Sequence, residues 1–137
     1  MTIVGLDIGK SRIGIAKSDP LNILASPVEV YKCTKNLGLD AKYISNKINE
    51  FGGELVVIGL PIKLNGEQGD SVKMAQDFGA AVQKFNKTPI VFFDERLSTV
   101  EAEEILIHRG YSREKRKMVI DAVAATIILQ SYIDAKK

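Results

Sequence analysis

Three carboxylates stand where packing alone would not place them. Asp7 interrupts the apolar run Ile3-Val4-Gly5-Leu6-Asp7-Ile8, Glu95 follows Ile90-Val91-Phe92-Phe93-Asp94, and Asp121 lies inside Met118-Val119-Ile120-Asp121-Ala122-Val123-Ala124-Ala125. A carboxylate carried toward a core must be paired, protonated or bound to metal, because leaving it charged and alone costs on the order of several kcal/mol. Brought within about 4 Å of one another, such acids repel by roughly 4 kcal/mol per pair at an effective dielectric near 20, so their convergence calls for a cation. Mg²⁺ or Mn²⁺ suits an all-oxygen set, since these hard ions keep waters that a phosphate can displace. Two such ions about 3.5 to 4 Å apart can activate water and stabilise a leaving oxygen in phosphodiester hydrolysis, chemistry that needs acids and no nucleophilic side chain.

Each acid also has a plainer use. Asp7 can form a turn ahead of Gly9, Glu95 can pair with Arg96, and Asp121 can pair with Lys117 one turn earlier, although that order of charges is the weaker one. Only the combination lifts the metal reading above these. Beside the last acid runs a basic stretch, Arg113, Lys115, Arg116 and Lys117, which Lys10, Arg12 and Arg96 extend. Charge runs are more often solvated helix faces. Next to a phosphodiester site, the same cations would neutralise backbone phosphates.

The elements that must position these groups follow from hydrophobic spacing. Residues 2 to 8 read as a strand apolar on both faces, hence central. Gly9-Lys10 reads as a two-residue hairpin turn, with strands over 11 to 18 and 23 to 31 completing an antiparallel meander. Leu37, Ala41, Ile44, Ile48 and Phe51 have helical spacing, ended by Gly52-Gly53. A buried strand over 55 to 59, a loop over 61 to 70, a helix marked by Met74, Phe78, Ala81 and Phe85, and a strand over 90 to 93 come next. Ser98-Thr99-Val100-Glu101 has capping-box spacing for a helix closed by His108-Arg109-Gly110, and Ser112 caps a last helix running to about 135. Ala122, Ala124 and Ala125 would let that helix approach the sheet closely, though helix propensity alone accounts for them. Three strands, then helix, strand, helix, strand and two helices predict an α/β fold: a five-stranded mixed sheet, an antiparallel three-strand meander plus two parallel strands, flanked by helices. This resembles the ribonuclease H-like fold.

At 137 residues the chain is expected to form a single domain, 1–137, with a core of its own. Its 45% hydrophobic and 26% charged content are globular values that argue against disorder. One cysteine, Cys33, excludes an internal disulfide, and with His108 as the one histidine no zinc ligand set is evident. No apolar run approaches the roughly 20 residues of a membrane span, so a cytoplasmic protein without membrane contact is expected. A net charge of +2 leaves nucleic-acid binding to local clusters.

The stretches Gly5-Leu6-Asp7-Ile8-Gly9-Lys10 with Arg12-Ile13-Gly14-Ile15-Ala16, Gly59-Leu60-Pro61 with Asn65-Gly66, Asp94-Glu95-Arg96-Leu97-Ser98-Thr99, and Asp121 with Ala124-Ala125 resemble the YqgF family, also called RuvX. These are small bacterial ribonuclease H-like proteins associated with pre-16S rRNA maturation and Holliday junction resolution. The resemblance spans nearly the whole chain. It implies Asp7, Glu95 and Asp121 as catalytic, metal-binding residues, with Ser98 where many members carry Thr. It also implies the loop with Asn65 as a substrate contact. Other resolvases of the fold place an acid after the fourth strand, where this chain has Gly59-Leu60-Pro61, and Glu95 would compensate from the next strand. Adjacent strand residues face oppositely, so the sequence leaves open which of Asp94 and Glu95 turns inward.

The resulting expectation is a metal-dependent endonuclease on structured nucleic acid. The preferred substrate, pre-rRNA in 5′-end maturation of 16S rRNA, comes from the resemblance. The alternatives are a Holliday junction resolvase acting on branched DNA, for which two active sites and hence a dimer are required, and a non-catalytic RNA-binding module. Monomer and homodimer both remain open. The hairpin Leu6-Asp7-Ile8-Gly9-Lys10-Ser11 is also similar to that of sugar-kinase and actin-type ATPases, but those clamp nucleotide between two domains and this chain has room for one.

Overall fold

The computed structural model describes residues 1–97 and 120–136. A strand that is apolar on both sides must be covered on both, and β1 (Thr2–Ile8) accordingly lies at the centre of the sheet. Around it fold β2 (Arg12–Ser18), β3 (Ala25–Lys32), α1 (Leu37–Glu50), β4 (Gly53–Leu60), α2 (Asp70–Gln83), β5 (Ile90–Asp94), a 3₁₀ turn (Glu95–Leu97) and α3 (Ile120–Ala135). The strand order is β3-β2-β1-β4-β5. β1 and β3 pair antiparallel with β2, whereas β4 runs parallel to both β1 and β5. The predicted meander plus two parallel strands is therefore present. Among the described residues no helix is long and apolar enough to cross a membrane.

Strand alternation divides the core into two layers. Val4, Leu6, Ile8, Ile13, Ile15, Val56 and Ile58 pack against Ala41, Ile44 and Ile48 of α1 and Ala75, Phe78 and Val82 of α2. On the other face Ile3, Ala16, Val57 and Phe93 meet Ala125, Ile128, Leu129 and Ile133 of α3. This helix lies very close to β1: a Cβ on Gly5 would stand 2.8 Å from Leu129 Cβ and 3.1 Å from the Ala125 carbonyl oxygen. Gln130, buried in α3, fixes the helix to the start of β3 by accepting from the Ala25 N–H at 2.9 Å and donating to the Ile23 carbonyl at 3.0 Å.

Three predicted boundaries move, each for a local reason. The hairpin tip is Lys10-Ser11, because the Gly9 N–H donates to the Arg12 carbonyl at 2.9 Å and Ile8 pairs with Ile13. Gly9 is needed at the corner, where a Cβ would stand 2.8 Å from that carbonyl oxygen. The third strand begins at Ala25, since Asp19 accepts from the Ile23 and Leu24 N–H groups and holds them in the preceding turn. Of Gly52-Gly53, only the first ends the helix, at φ +65, while Gly53 already opens β4 opposite Thr2. The predicted helix over residues 98 to 110 and the Ser112 cap lie outside the described residues.

Candidate functional site

Asp7 is the penultimate residue of β1, paired in register with Gly14. By alternation it shares the α3 face with Ile3 and Gly5. Phe93 of β5 points to the same face, so Asp94 belongs to the opposite one. Strand geometry ends there. The 3₁₀ turn begins at Glu95 and returns its side chain to the α3 side, over the bare backbone of Gly59 in β4: a Cβ on Gly59 would stand 3.0 Å from Glu95 Oε1 and 3.1 Å from Glu95 Cγ. The same Cβ would stand 2.6 Å from Ile128 Cδ1, so Gly59 makes room for both the carboxylate and α3.

The two neighbours at the end of β5 have opposite electrostatics. Burial first, then the negative charge of Asp7 and that of Asp94, push the Glu95 carboxyl up to about 7. Asp94 is held below the usual carboxylate range by Arg96, whose Nε donates to its two oxygens at 3.0 and 2.9 Å and whose Nη2 donates at 2.6 Å. The Arg96 N–H adds a fourth bond to Asp94 Oδ1 at 2.9 Å. Arg96 therefore pairs with Asp94, and the alternative pairing with Glu95 is not the one adopted.

The structure brings some of the predicted nucleic-acid residues together and separates others. Arg96 Nη1 would stand 3.9 Å from a Cβ on Gly66, which adopts φ +86, so Arg96 neighbours the loop that carries Asn65. Asn65 itself shapes that loop, accepting from the Glu67 N–H at 3.0 Å. Arg12 is exposed, two residues before Gly14 and on the Asp7 face by alternation. Lys10, at the hairpin tip, lines a cleft on the opposite face, between α1 and α2.

α3 runs antiparallel to β1, for Ile133 and Ile3 line one cavity while Leu129 and Ala125 meet Gly5. The start of α3, which carries position 121, therefore lies toward the end of β1 that carries Asp7. The Asp121 side chain lies outside the described residues, as do Arg113, Lys115, Arg116 and Lys117. Among the described residues Asp7 and Glu95 thus form a pair, and no group of three His, Cys, Asp or Glu forms a metal-sized cluster. Sequence reasoning missed Gly59 as the seat of Glu95. Its signal was a glycine ending the apolar run Leu55-Val56-Val57-Ile58, where a side chain would otherwise be favoured.

Comparison with known proteins agrees with this architecture. The model of the family described as "RuvX: Holliday junction resolvase" matches residues 1–135. A Syntrophomonas wolfei protein named "Putative pre-16S rRNA nuclease" is 42% identical over 134 residues, covering 98% of this chain and 94% of its own. One of the same name from Halothermothrix orenii is 44% identical over 134 residues, covering 98% and 95%. Among solved structures, Thermus thermophilus RuvC in complex with a Holliday junction substrate superposes with a TM-score of 0.65 at 15% identity, covering 99% of this chain and 95% of that one. The large terminase nuclease of phage G20c gives 0.58 at 11% identity, covering 96% and 81%. At such identities the structural likeness establishes the ribonuclease H-like fold alone.

Proposed function

The chain belongs to the RuvX family, and from that premise and the Asp7–Glu95 pair we propose that it is a metal-dependent endonuclease that hydrolyses phosphodiester bonds in structured nucleic acid. The observation that carries the reading is Glu95, drawn over Gly59 into partial burial beside a second carboxylate and pushed up to about 7. A fold gains nothing in stability from that arrangement; a divalent cation would offset it. The donor set fits Mg²⁺ or Mn²⁺, being oxygen from Asp7 and Glu95, with Asp121 from the adjoining helix as the third acid. Bound there, the cation, in a two-ion form where two are held, would activate a water and stabilise the leaving oxygen.

The chain's own part is positioning. Asp7 holds its oxygens at the end of β1 and Glu95 reaches over the end of β4 from the turn after β5, and the ionised state of Glu95 is the one that accepts a cation. Arg12 on the same face and Arg96 beside the Asn65 loop would take phosphates flanking the scissile one, with Arg113, Lys115, Arg116 and Lys117 extending the contact. The substrate that fits the names of the relatives is pre-16S rRNA; the full proposal is maturation of its 5′ end in the cytoplasm, by a monomer or a homodimer. Junction DNA is a second reading, favoured by the family description and by the fold shared with RuvC.

Incubating the purified protein with a pre-16S rRNA fragment, single-stranded RNA and a four-way DNA junction, in Mn²⁺, Mg²⁺ or EDTA, tests both. Cleavage of the precursor in metal and none in EDTA is expected. Cutting of the junction alone favours the second reading. Binding without cleavage, unchanged by Asp7→Asn or EDTA, would reduce the protein to an RNA-binding module.

A further inference from the structure

The other face of the same sheet edge carries a second built feature. Between the β1–β2 hairpin and the N-terminal halves of α1 and α2 lies an open cleft of about 420 Å³, within the roughly 300–1,000 Å³ range of small-molecule sites. Like the carboxylate pair, it opens beyond the carboxyl end of β1, the usual place for ligands in sheets with parallel strands. Ile8 lines it while the preceding residue, Asp7, belongs to the α3 face.

Its lining has three chemical parts. Ile8, Ile13, Met74 and Phe78 form an apolar wall. Lys10, Lys35 and Lys73, all exposed, stand around it from three different elements; the exposed carboxylates of Asp70 and Asp77 flank Lys73 on α2, which leaves Lys10 and Lys35 as the cations on the hairpin side, and among the described residues none of the three lysines is in an ion pair. Between them lies Asp40, only 5% exposed. Its Oδ1 is saturated, accepting from the Tyr31 hydroxyl at 2.8 Å, the Thr34 N–H at 2.9 Å and the Thr34 hydroxyl at 2.9 Å. Among the described residues nothing donates to Oδ2. A buried carboxylate with one oxygen fully used and the other unused is an acceptor waiting for a donor.

A ligand that meets all three parts needs an anionic group for the lysines, a flat apolar body for the wall, and an N–H to give to Asp40. We propose that this cleft binds a nucleotide, base inward, with an exocyclic amine donating to Asp40 Oδ2 and the phosphate among Lys10, Lys35 and Lys73. Adenine, cytosine and guanine carry such an amine; uracil has none, and its single N3–H is flanked by two carbonyl oxygens that a carboxylate repels. Lys10 is thereby assigned to the cleft rather than to the Asp7 face. If the proposed nuclease function holds, the occupant is an unpaired nucleotide of the substrate strand crossing the hairpin, which would let one strand engage both faces. The chemistry is the same for a free nucleotide.

The test is amide NMR of the ¹⁵N-labelled full chain in EDTA, titrated with AMP, CMP, GMP, UMP, inorganic phosphate and an unpaired RNA heptamer. Saturable shifts at Cys33, Thr34, Asp40 and Met74, stronger for AMP, CMP and GMP than for UMP, are expected. Lys35→Ala combined with Lys73→Ala, both exposed and safe for folding, should weaken binding about tenfold. Asp40→Asn should erase the preference over UMP. Tighter binding by the heptamer than by any mononucleotide identifies the strand as occupant, and the reverse identifies a free nucleotide. Phosphate shifting the same amides as strongly as AMP, shifts confined to the surroundings of Asp7 and Glu95, or no saturation at millimolar nucleotide would overturn the proposal. Cleavage plays no part in these readouts, so loss of the nuclease reading leaves them standing, and their failure leaves that reading intact.

Discussion

Asp94 and Glu95 are neighbours in sequence that serve opposite sides of one sheet. Asp94 is closed by Arg96 in a two-pronged ion pair and has its charge stabilised, whereas Glu95 is set against backbone with another acid beside it and has its charge opposed. The first arrangement is complete without any ligand. The second is a local cost that the rest of the fold offsets, and costs of that kind concentrate where chemistry is done. One residue of chain separates a structural carboxylate from a candidate functional one, so composition at the end of β5 says less than the turn that follows it.

The largest expected effect is on cleavage. Glu95→Gln and Asp7→Asn should each lower turnover by about a thousandfold or more with the fold retained, and the double variant should be scarcely worse, because residues acting on one charge lose activity non-additively. Asp94→Asn should keep most activity. Cleavage rates of the three variants, with circular dichroism to verify folding, decide it; an inactive Asp94→Asn beside an active Glu95→Gln would reverse the assignment of the two neighbours.

Gly59→Ala probes the seat of Glu95 without touching a carboxylate. The new methyl meets Ile128 Cδ1 at 2.6 Å and the Glu95 side chain at 3.0–3.1 Å, and both contacts are side chains that can move. A shifted Glu95 no longer holds its present position relative to Asp7. Stability should fall by about 1–3 kcal/mol, as for other overpacked sites, and cleavage should fall about tenfold to a hundredfold. Unchanged metal response and activity in this variant would mean that the position of Glu95 over β4 is incidental.

Much of this organisation was legible in the residues. The doubly apolar Ile3-to-Ile8 run marks a central strand, and the helical spacing from Leu37 to Ile48 matches α1. The choice between Asp94 and Glu95 was not legible, because alternation holds only while the strand continues and the 3₁₀ turn starts at the second acid. Nor was the side taken by Lys10: a hairpin tip can lean either way, and contacts from Lys35 and Lys73, distant in sequence, define the cleft it joins. Asp40 occupies the first turn of α1, a common place for an acid. Its burial depends on Tyr31 and Thr34, which no periodicity reports.

The pH dependence of stability sharpens the comparison further. The folded-state pKa of Glu95 is raised from 4.5 to about 7, so its protonated form is the one the metal-free fold prefers. The sign follows: this group's contribution is fully present below its unfolded value of 4.5 and is lost as pH rises through about 7. In EDTA, wild-type stability should therefore drop relative to Glu95→Gln by about 1–3 kcal/mol between about pH 5 and about pH 8, a few degrees in melting temperature. Millimolar Mg²⁺ or Mn²⁺ should restore the wild type by mass action and leave Glu95→Gln nearly unmoved. Parallel melting curves for the two proteins across that range, in EDTA, would remove the electrostatic argument for the site.

The smallest effect is expected at the other neighbour. Asp94 and Arg96 sit at the surface, with side chains 22% and 35% exposed, so their ion pair should contribute only about 0–1 kcal/mol. Asp94→Asn should accordingly leave the melting temperature within a degree or two. What it changes is the freedom of Arg96, whose Nε and Nη2 are now held to one carboxylate and whose Nη1 faces the Gly66 turn. Released, the guanidinium loses its fixed direction toward the loop but gains a full charge for phosphate. Nucleic-acid affinity, measured against salt in Ca²⁺ and an Asp7→Asn background, should then rise about twofold to threefold with a slightly steeper logarithmic salt slope, since one more phosphate contact adds roughly one released counterion. A loss of affinity instead would show that Asp94 aims Arg96 at the substrate, making the pair a positioning device rather than a closed structural contact.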